Sequence, residues 1–229
     1  MFSAFSSVNL KVIPFSEIKG VQVGNACDDK AKTGVTVFYF PSPATAAVKI
    51  FGGGPASRET PLLEPERNSL PLNALVFGGG SAYGLAAADG VMRRMEEIGA
   101  GFDTGYGIVP IVCQSDIFDL SYGDGSVRPD REMGYLAASR AVNGNDPRSG
   151  NVGVGVGATL GKPYGMARAI RPVFTMWDGD TIYAVSAGSD KVPAEINAVG
   201  TLAARVMEAA IVDAVHSSSV SESEYLSNI

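Results

Sequence analysis

The chain has 229 residues, 45% apolar and 18% charged, with a formal net charge of −6, one histidine and two cysteines. Such a composition is globular and long enough to bury a sizeable core, and no apolar run approaches the length of a membrane span. An acidic balance without a basic cluster argues against nucleic acid as the main partner, and so few Cys and His leave no Cys/His metal site to build.

The first residues, Met1 to Ser7, show no basic stretch followed by an apolar one, so a cytoplasmic chain is expected rather than a secreted one. Val35–Phe40 is β-branched and aromatic between Gly34 and Pro41 and reads as a strand. Ala46–Phe51 reads as a second strand ending at Gly52, and Leu72–Phe77 as a third running into Gly78-Gly79-Gly80. A helix follows from about Leu85 to Ile98, with Leu85, Ala88, Val91, Met92, Met95 and Ile98 at helical spacing and Gly99 as its C-cap. Ile108–Val112 is a short strand, and Pro129-Asp130 opens a helix to about Val142. Thr181–Ala187 is a further strand. The last long helix starts after Pro193 and is expected to turn Ile196, Val199, Leu202, Val206 and Ala210 inward, before a frayed polar tail from Ser217. Cys27 and Cys113 read as small buried hydrophobes. Strands and helices without strict βαβ alternation predict an α+β fold, with residues 1–229 in one domain.

Three segments carry chemistry. Gly78 to Gly84 ends a strand and precedes a helix, a geometry that aims backbone N–H groups at one point and suits an anion or oxyanion. It equally suits a tight strand-to-helix connection, and it is no nucleophile elbow because Tyr83 stands where G-x-S-x-G needs glycine. The run Gly153 to Gly161 ends in Lys162, yet Val156 and Pro163 break a Walker A loop. Its alternating Gly and Val read as a strand lying close against another backbone, with Lys162 placing a cation in the cleft. Asp178-Gly179-Asp180 then opens the Thr181 strand. Carboxylates at i and i+2 of extended chain share a side and can steady a catalytic amine, while Asp-Gly is also a common turn dipeptide. His216 reads as a solvent-facing residue at a helix C-terminus.

Taken together these segments resemble the DmpA-type aminopeptidases (L-aminopeptidase/D-amidase-esterase), a family that includes β-peptidyl aminopeptidases and the nylon-oligomer hydrolase. The resemblance runs in order through Gly20–Gly24, Lys32–Val37, Gly53–Thr60, Gly79–Met92, Ile117–Leu120, Gly150–Lys162, Arg168–Pro172 and Asp178–Thr181. It implies an αββα layered fold and an N-terminal nucleophile, a Ser or Thr freed by self-cleavage whose own α-amine serves as base. It also implies short peptides or amides as substrate, no cofactor, and assembly into a homo-oligomer. Lys162, Asp178 and Asp180 correspond to the family's supporting catalytic residues, and Gly80, Ser81 and Tyr83 to residues lining the substrate pocket. Family members carry a long segment between the glycine run and the R-A-I-x-P stretch, bearing an oxyanion asparagine and the nucleophile strand. Here Lys162-Pro163 reaches Arg168-Ala169-Ile170 almost directly. The expectation is therefore a chain shortened near residues 163–168, lacking some central strands and inactive or impaired. Asn68-Ser69, Gly125-Ser126 and Gly200-Thr201 are the replacement dipeptides available, and none opens a suitable strand.

Overall fold

In the computed structural model, which describes residues 11–67, 70–144, 146–159, 179–188 and 192–229, the strands form a six-stranded mixed sheet and a separate antiparallel pair, Phe102–Asp103 with Ile108–Val109. The strands in chain order are β1 (Gln22–Asp28), β2 (Thr33–Gly52), β3 (Ser57–Arg58), β4 (Leu72–Gly78), β5 (Phe102–Asp103), β6 (Ile108–Val109), β7 (Val112–Asp116) and β8 (Gly179–Ser186). The helices are α1 (Ala87–Glu97), α2 (Arg131–Asn143), α3 (Ile196–Ser217) and α4 (Glu222–Leu226). The sheet runs β1-β2-β4-β7-β3, antiparallel except for β4 and β7, while β8 pairs separately with the far half of β2.

The two strands expected over 35–40 and 46–51 are halves of β2. Pro41 and Pro43 lie between them and contribute no N–H, so the ladder to β4 lapses between Tyr39 and Ala44 while the backbone stays extended. Pro110 divides the expected Ile108–Val112 strand in the same way, into β6 and the start of β7. The helix expected from Leu85 begins as a 3-10 turn at Ser81–Ala86 and becomes α-helical at Ala87. Gly99, at φ 72°, ends it, with Ala100 N–H donating to Met95 O at 2.9 Å. Asp130 caps α2 by accepting from Met133 N–H at 2.9 Å.

The two faces of the sheet are filled differently. Val35, Val37, Ala74, Val76 and Val112 point to α1 and α2 and form one core with Ala87, Val91, Met95, Ala137 and Ala138. The alternate residues Phe38, Phe40, Leu75, Phe77 and Cys113 form a second cluster on the other face. A cavity of about 1540 Å³ separates part of that face from α3. The helix forms where periodicity puts it, but the expectation that it buries its apolar stripe does not hold. Ile196 is 81% exposed and Val199 and Val206 are 51% exposed: α3 turns Ile196, Met207 and Ile211 toward an open cavity together with Asn197, Thr201 and Glu208, and leaves Val199 and Val206 off it. The tail is also more ordered than its polarity suggests. Tyr225 of α4 stacks on Tyr122 at 5.6 Å, Glu224 lies 3.5 Å from Lys32 Nζ, and Gly123 N–H donates to Asn228 O at 2.6 Å. Cys27 is exposed, contrary to expectation, because it sits near the end of β1 where the chain turns out, whereas Cys113 is buried as expected.

Where α1 crosses α2, each helix presents a glycine. A Cβ on Gly90 would collide with the carbonyl of Arg131, and one on Gly134 with the carbonyl of Ala87. Gly90→Ala gains about 1 kcal/mol of helix propensity but must force the backbones apart. A net loss of about 1–3 kcal/mol is expected, read as a lower urea midpoint with an unchanged slope.

Candidate functional site

Strand β4 ends at Gly78 opposite Asp116 of the parallel strand β7, so whatever follows each strand meets at one end of the sheet. The chain leaves β4 through Gly80 at φ 79° and Ser81 at φ 54°, the latter a rare backbone for a residue with a side chain. The N–H groups of this turn are engaged within the protein. Gly79 donates to Gly34 O at 2.9 Å, Gly80 to Asp119 Oδ1 at 2.6 Å, and Ser81 to Ile117 O at 3.0 Å. These N–H groups go to three separate internal acceptors, one of them the carboxyl of Asp119, so in this structure the turn serves as a strand-to-helix connection. Outside the turn, Tyr83 is 61% exposed and carries the Arg128 guanidinium 3.7 Å from its ring centroid.

Asp119 is buried, and its other oxygen accepts from Thr33 Oγ1 at 2.7 Å. Gln114, wholly buried, donates Nε2 to both Gly84 O at 2.8 Å and Asp116 Oδ1 at 2.7 Å, and accepts from Ala88 N–H at 2.9 Å. Asp116 is held less well. Its Oδ2 is sealed from solvent and has no hydrogen-bond partner among the described residues. Burial pushes its carboxyl up from the ordinary 3.8 to about 7, and the negative charge of Asp119 adds to the rise, while bonds from Gln114 and Gly78 oppose it.

The start of β8 comes to the same end of the sheet. Asp116 N–H donates to Ala56 O at 2.9 Å, and the neighbouring Gly54-Pro55 lies so close to Gly179 that a Cβ there would strike Pro55. Gly179 and Asp180 are ladder residues opposite Gly52 and Phe51, so the alternative of a hairpin turn does not apply to them. Asp180 lines the large cavity with Phe77, Phe38 and Tyr183. Tyr183 OH and Ser115 Oγ are 2.7 Å apart, and burial pushes the phenol up to about 12. Gly80, Ser81 and Tyr83 do not line that cavity, and Lys162 and Asp178 lie outside the described residues.

The glycine run departs from expectation in form. Gly153–Val156 is a 3-10 turn rather than a strand, because Gly153 at φ 56° presses against Thr36 and Asn25 where a Cβ would collide with their side-chain oxygens. The close approach expected of it is real, and Gly157 lies equally tight against Lys32 and Asp119. Of the replacement dipeptides, Gly200-Thr201 is inside α3 with Thr201 Oγ1 bonded to Asn197 O at 2.8 Å, and Ser126 is tied to Asp124 at 2.6 Å. Asn68-Ser69 lies outside the described residues. Sequence reasoning missed Gln114, Ser115, Asp116 and Tyr183. The signal available was a run of Gln, Ser and Asp continuing the apolar Ile111-Val112-Cys113 without a turn residue.

Two outcomes follow from these carboxylates. Asp119→Ala strips the buried Gly80 N–H and Thr33 hydroxyl of their acceptor and should cost about 2–4 kcal/mol in urea unfolding, more than a surface Asp→Ala. For Asp116, the folded chain keeps a proton that the unfolded chain releases. Stability therefore falls as pH rises from about 4 to about 7, the window between 3.8 and about 7, and stays low above it. The loss should be on the order of 2–4 kcal/mol, and Asp116→Asn should flatten it in urea titrations across that range.

Among the described residues no cluster of three or more Asp, Glu, His or Cys is placed to hold a metal ion, and no helix is long and apolar enough to cross a membrane. Residues 15–163 match the family model described as peptidase family S58. An uncharacterized aminopeptidase of Mycobacterium leprae is 46% identical over 160 residues, covering 64% of this chain and 44% of that protein. A 6-aminohexanoate-oligomer endohydrolase of a Kocuria species is 32% identical over 151 residues, covering 64% of this chain and 38% of its own length. The chain thus spans less than half the length of these curated relatives. A solved β-aminopeptidase from a Burkholderia species aligns over 62% of this chain and 42% of its own, with a TM-score of 0.47 and 19% identity. By its sequence, the chain belongs to peptidase family S58, the DmpA-type aminopeptidase family.

Proposed function

We propose that the chain is a polypeptide of the N-terminal-nucleophile hydrolase type, built to act on short peptides or amides, whose own turnover is lost or badly impaired. The observation that carries the first half is the family match over residues 15–163, with 46% identity to an aminopeptidase. The roles follow from it. Asp180, beside the apolar wall of Phe38 and Phe77, would orient a reacting amine together with Asp178, and Lys162 would supply charge. Ser81 and Tyr83, presented by the turn after β4, would line the path of the peptide, with Gly80 setting the turn.

The second half rests on the chain's own sequence. The step from Lys162 to Arg168 leaves no room for a strand that opens with Ser or Thr. Without such a nucleophile and its amine, the remaining groups can bind and polarise an amide but not attack it. A second reading is favoured by one observation, the cavity of about 1540 Å³ floored by Phe38, Phe77 and Leu75 with Arg205 and Glu208 across it. That is the shape of a site that holds an amphiphilic ligand, either in a non-catalytic relative or in a shortened subunit of a homo-oligomer.

Mass spectrometry of the purified chain tests the proposal directly. One intact mass and no release of nitroaniline from aminoacyl-p-nitroanilides are expected, with a raised melting temperature in short peptides. Two fragments with a new N-terminal Ser or Thr, or turnover well above buffer, would overturn the impairment. An intact chain that no short peptide stabilises would sink the peptide-site reading as well.

A further inference from the structure

We propose that the Gly78–Gly84 turn is a pH-gated element, held closed against the end of β7 by a proton on Asp116 and loosened, with the Ser81 and Tyr83 side chains it carries, when that proton leaves.

Geometry puts the carboxylate at both ends of the turn. Asp116 Oδ1 lies 2.6 Å from where a Cβ on Gly78 would stand, and Oδ2 lies 2.9 Å from where a Cβ on Gly84 would stand. Both glycines make room for the acid, and either side chain would evict it. Protonated, Asp116 fits as a neutral group, with Oδ1 held by Gln114 and Oδ2 closed off from water. Ionised, it leaves a charge on a sealed oxygen with no partner among the described residues, a state of high cost in a dry setting.

Hydrogen bonds from Gln114 and Gly78 offset that charge only in part, and the described groups packed around Asp116 bring no uncommitted cation to it. From the loop after β7 comes Asp119, of the same sign and committed to Gly80 N–H and Thr33 Oγ1. Tyr183 of β8 is a neutral phenol bonded to Ser115, and Gln114 of β7 is a neutral amide already shared with Gly84 O. Arg58 of β3 is engaged by Asp89 at 2.6 Å and by Leu85 O at 3.2 Å, and Arg128, beyond the turn, stacks on Tyr83. The burial that pushes this carboxyl up to about 7 puts the transition near neutrality. Relief requires water at Oδ2, and the wall there is the turn itself, whose Gly84 end is tied to β7 through Gln114. Outward movement of the turn admits water and swings Ser81 and Tyr83 with it. The functional meaning depends on the proposed place of Ser81 and Tyr83 beside the substrate, but the gate itself does not.

The test is NMR on the full chain, labelled with ¹³C at aspartate carboxyls and ¹⁵N throughout, from about pH 5 to 9. One carboxyl titrating near neutrality is expected, missing in Asp116→Asn. The Gly80 and Ser81 amides should lose about tenfold or more of their exchange protection at the same midpoint, and lose none in Asp116→Asn. A carboxyl titrating in the ordinary aspartate range overturns the proposal, as does equal loss of protection in the variant. If Asp116→Asn does not fold, the native chain decides: coincident midpoints for the carboxyl and the turn amides support the gate, and separate midpoints refute it. A turn that titrates in a chain binding no peptide upholds the gate and counts against the substrate role of Ser81 and Tyr83, so the two failures are distinguishable.

Discussion

The buried carboxylate of Asp119 is the tie on which this end of the molecule depends. Through Thr33 Oγ1 it fixes the start of β2, and through Gly80 N–H it fixes the chain as it leaves β4. Its own position is set by the parallel pairing of β4 with β7, which places Gly78 opposite Asp116 and the following loop beneath the turn. Gly79 and Gly157 lie so close to it that a side chain on either would displace it. A charged acceptor shared by a backbone donor and a hydroxyl is stronger than its neutral counterpart, and here one group bonds two chain segments and packs against a third at Gly157. The unusual backbone of Ser81 at φ 54° is tolerated because both of its flanks are pinned.

The second organising feature is the asymmetry of the sheet. On the side of α1 and α2 small residues allow close approach, and Val35, Val37, Val76, Val91 and Met95 are fully buried. On the other side Phe38 and Phe77 meet edge to face at 6.0 Å, and Phe77 meets Tyr183 at 5.8 Å, yet much of the space beyond them is open. Aromatic rings that pair over a void keep their mutual contacts but forgo those of a filled layer. Across the cavity α3 presents a mixed face, Asn197, Thr201 and Glu208 beside Ile196, Met207 and Ile211, and this face is not packed onto the rings as a closed core. The same asymmetry explains why α3 keeps its apolar stripe exposed.

What the sequence discloses follows from the range of the interactions involved. Parts of β2, β4 and β8 and the helices α1 and α2 declare themselves by local periodicity, whereas β1, β3 and β5 are not read from the sequence and Pro110 splits a strand that reads as continuous. Periodicity tells which face of α3 is apolar, from Val199, Leu202 and Val206, but not whether anything covers it, since that is a property of distant segments. The Gly78–Gly84 turn was legible as a strand-to-helix junction. Its occupant was not, because Asp119 is brought there only by the register of β4 against β7. Asp116 is harder still to foresee. An acid at a strand end normally reads as a solvent-facing residue, and only Gly78 and Gly84, far off in the chain, reveal that its carboxyl is tucked against the turn with Oδ2 sealed. The glycine run announced its close approach to another backbone. The turn it makes instead of a strand depends on a side-chain pair across two strands, Thr36 Oγ1 donating to Asn25 Oδ1 at 2.7 Å.

The glycine run and the Asp-Gly-Asp segment are near neighbours in sequence, and they anchor to different parts of the fold. The first is fastened by Gly153 and Gly157 to the start of β2 and to Asp119. The second enters the sheet opposite Gly52 at the other end of β2, twenty residues of strand away. They nevertheless converge, because the Gly52–Ala56 loop folds back and hands its Ala56 carbonyl to Asp116 N–H. Convergence thus depends on β2 being one long strand whose far end returns to β7, rather than on the short spacing in sequence. A substitution that straightened or stiffened Gly52-Gly53-Gly54 would part Gly179 from Pro55 and Asp116 from Ala56 without touching β7 or β8. The end of the sheet where Gly78, Asp116 and Gly179 come together is therefore held by the return of the chain after β2 rather than by the residues that arrive there.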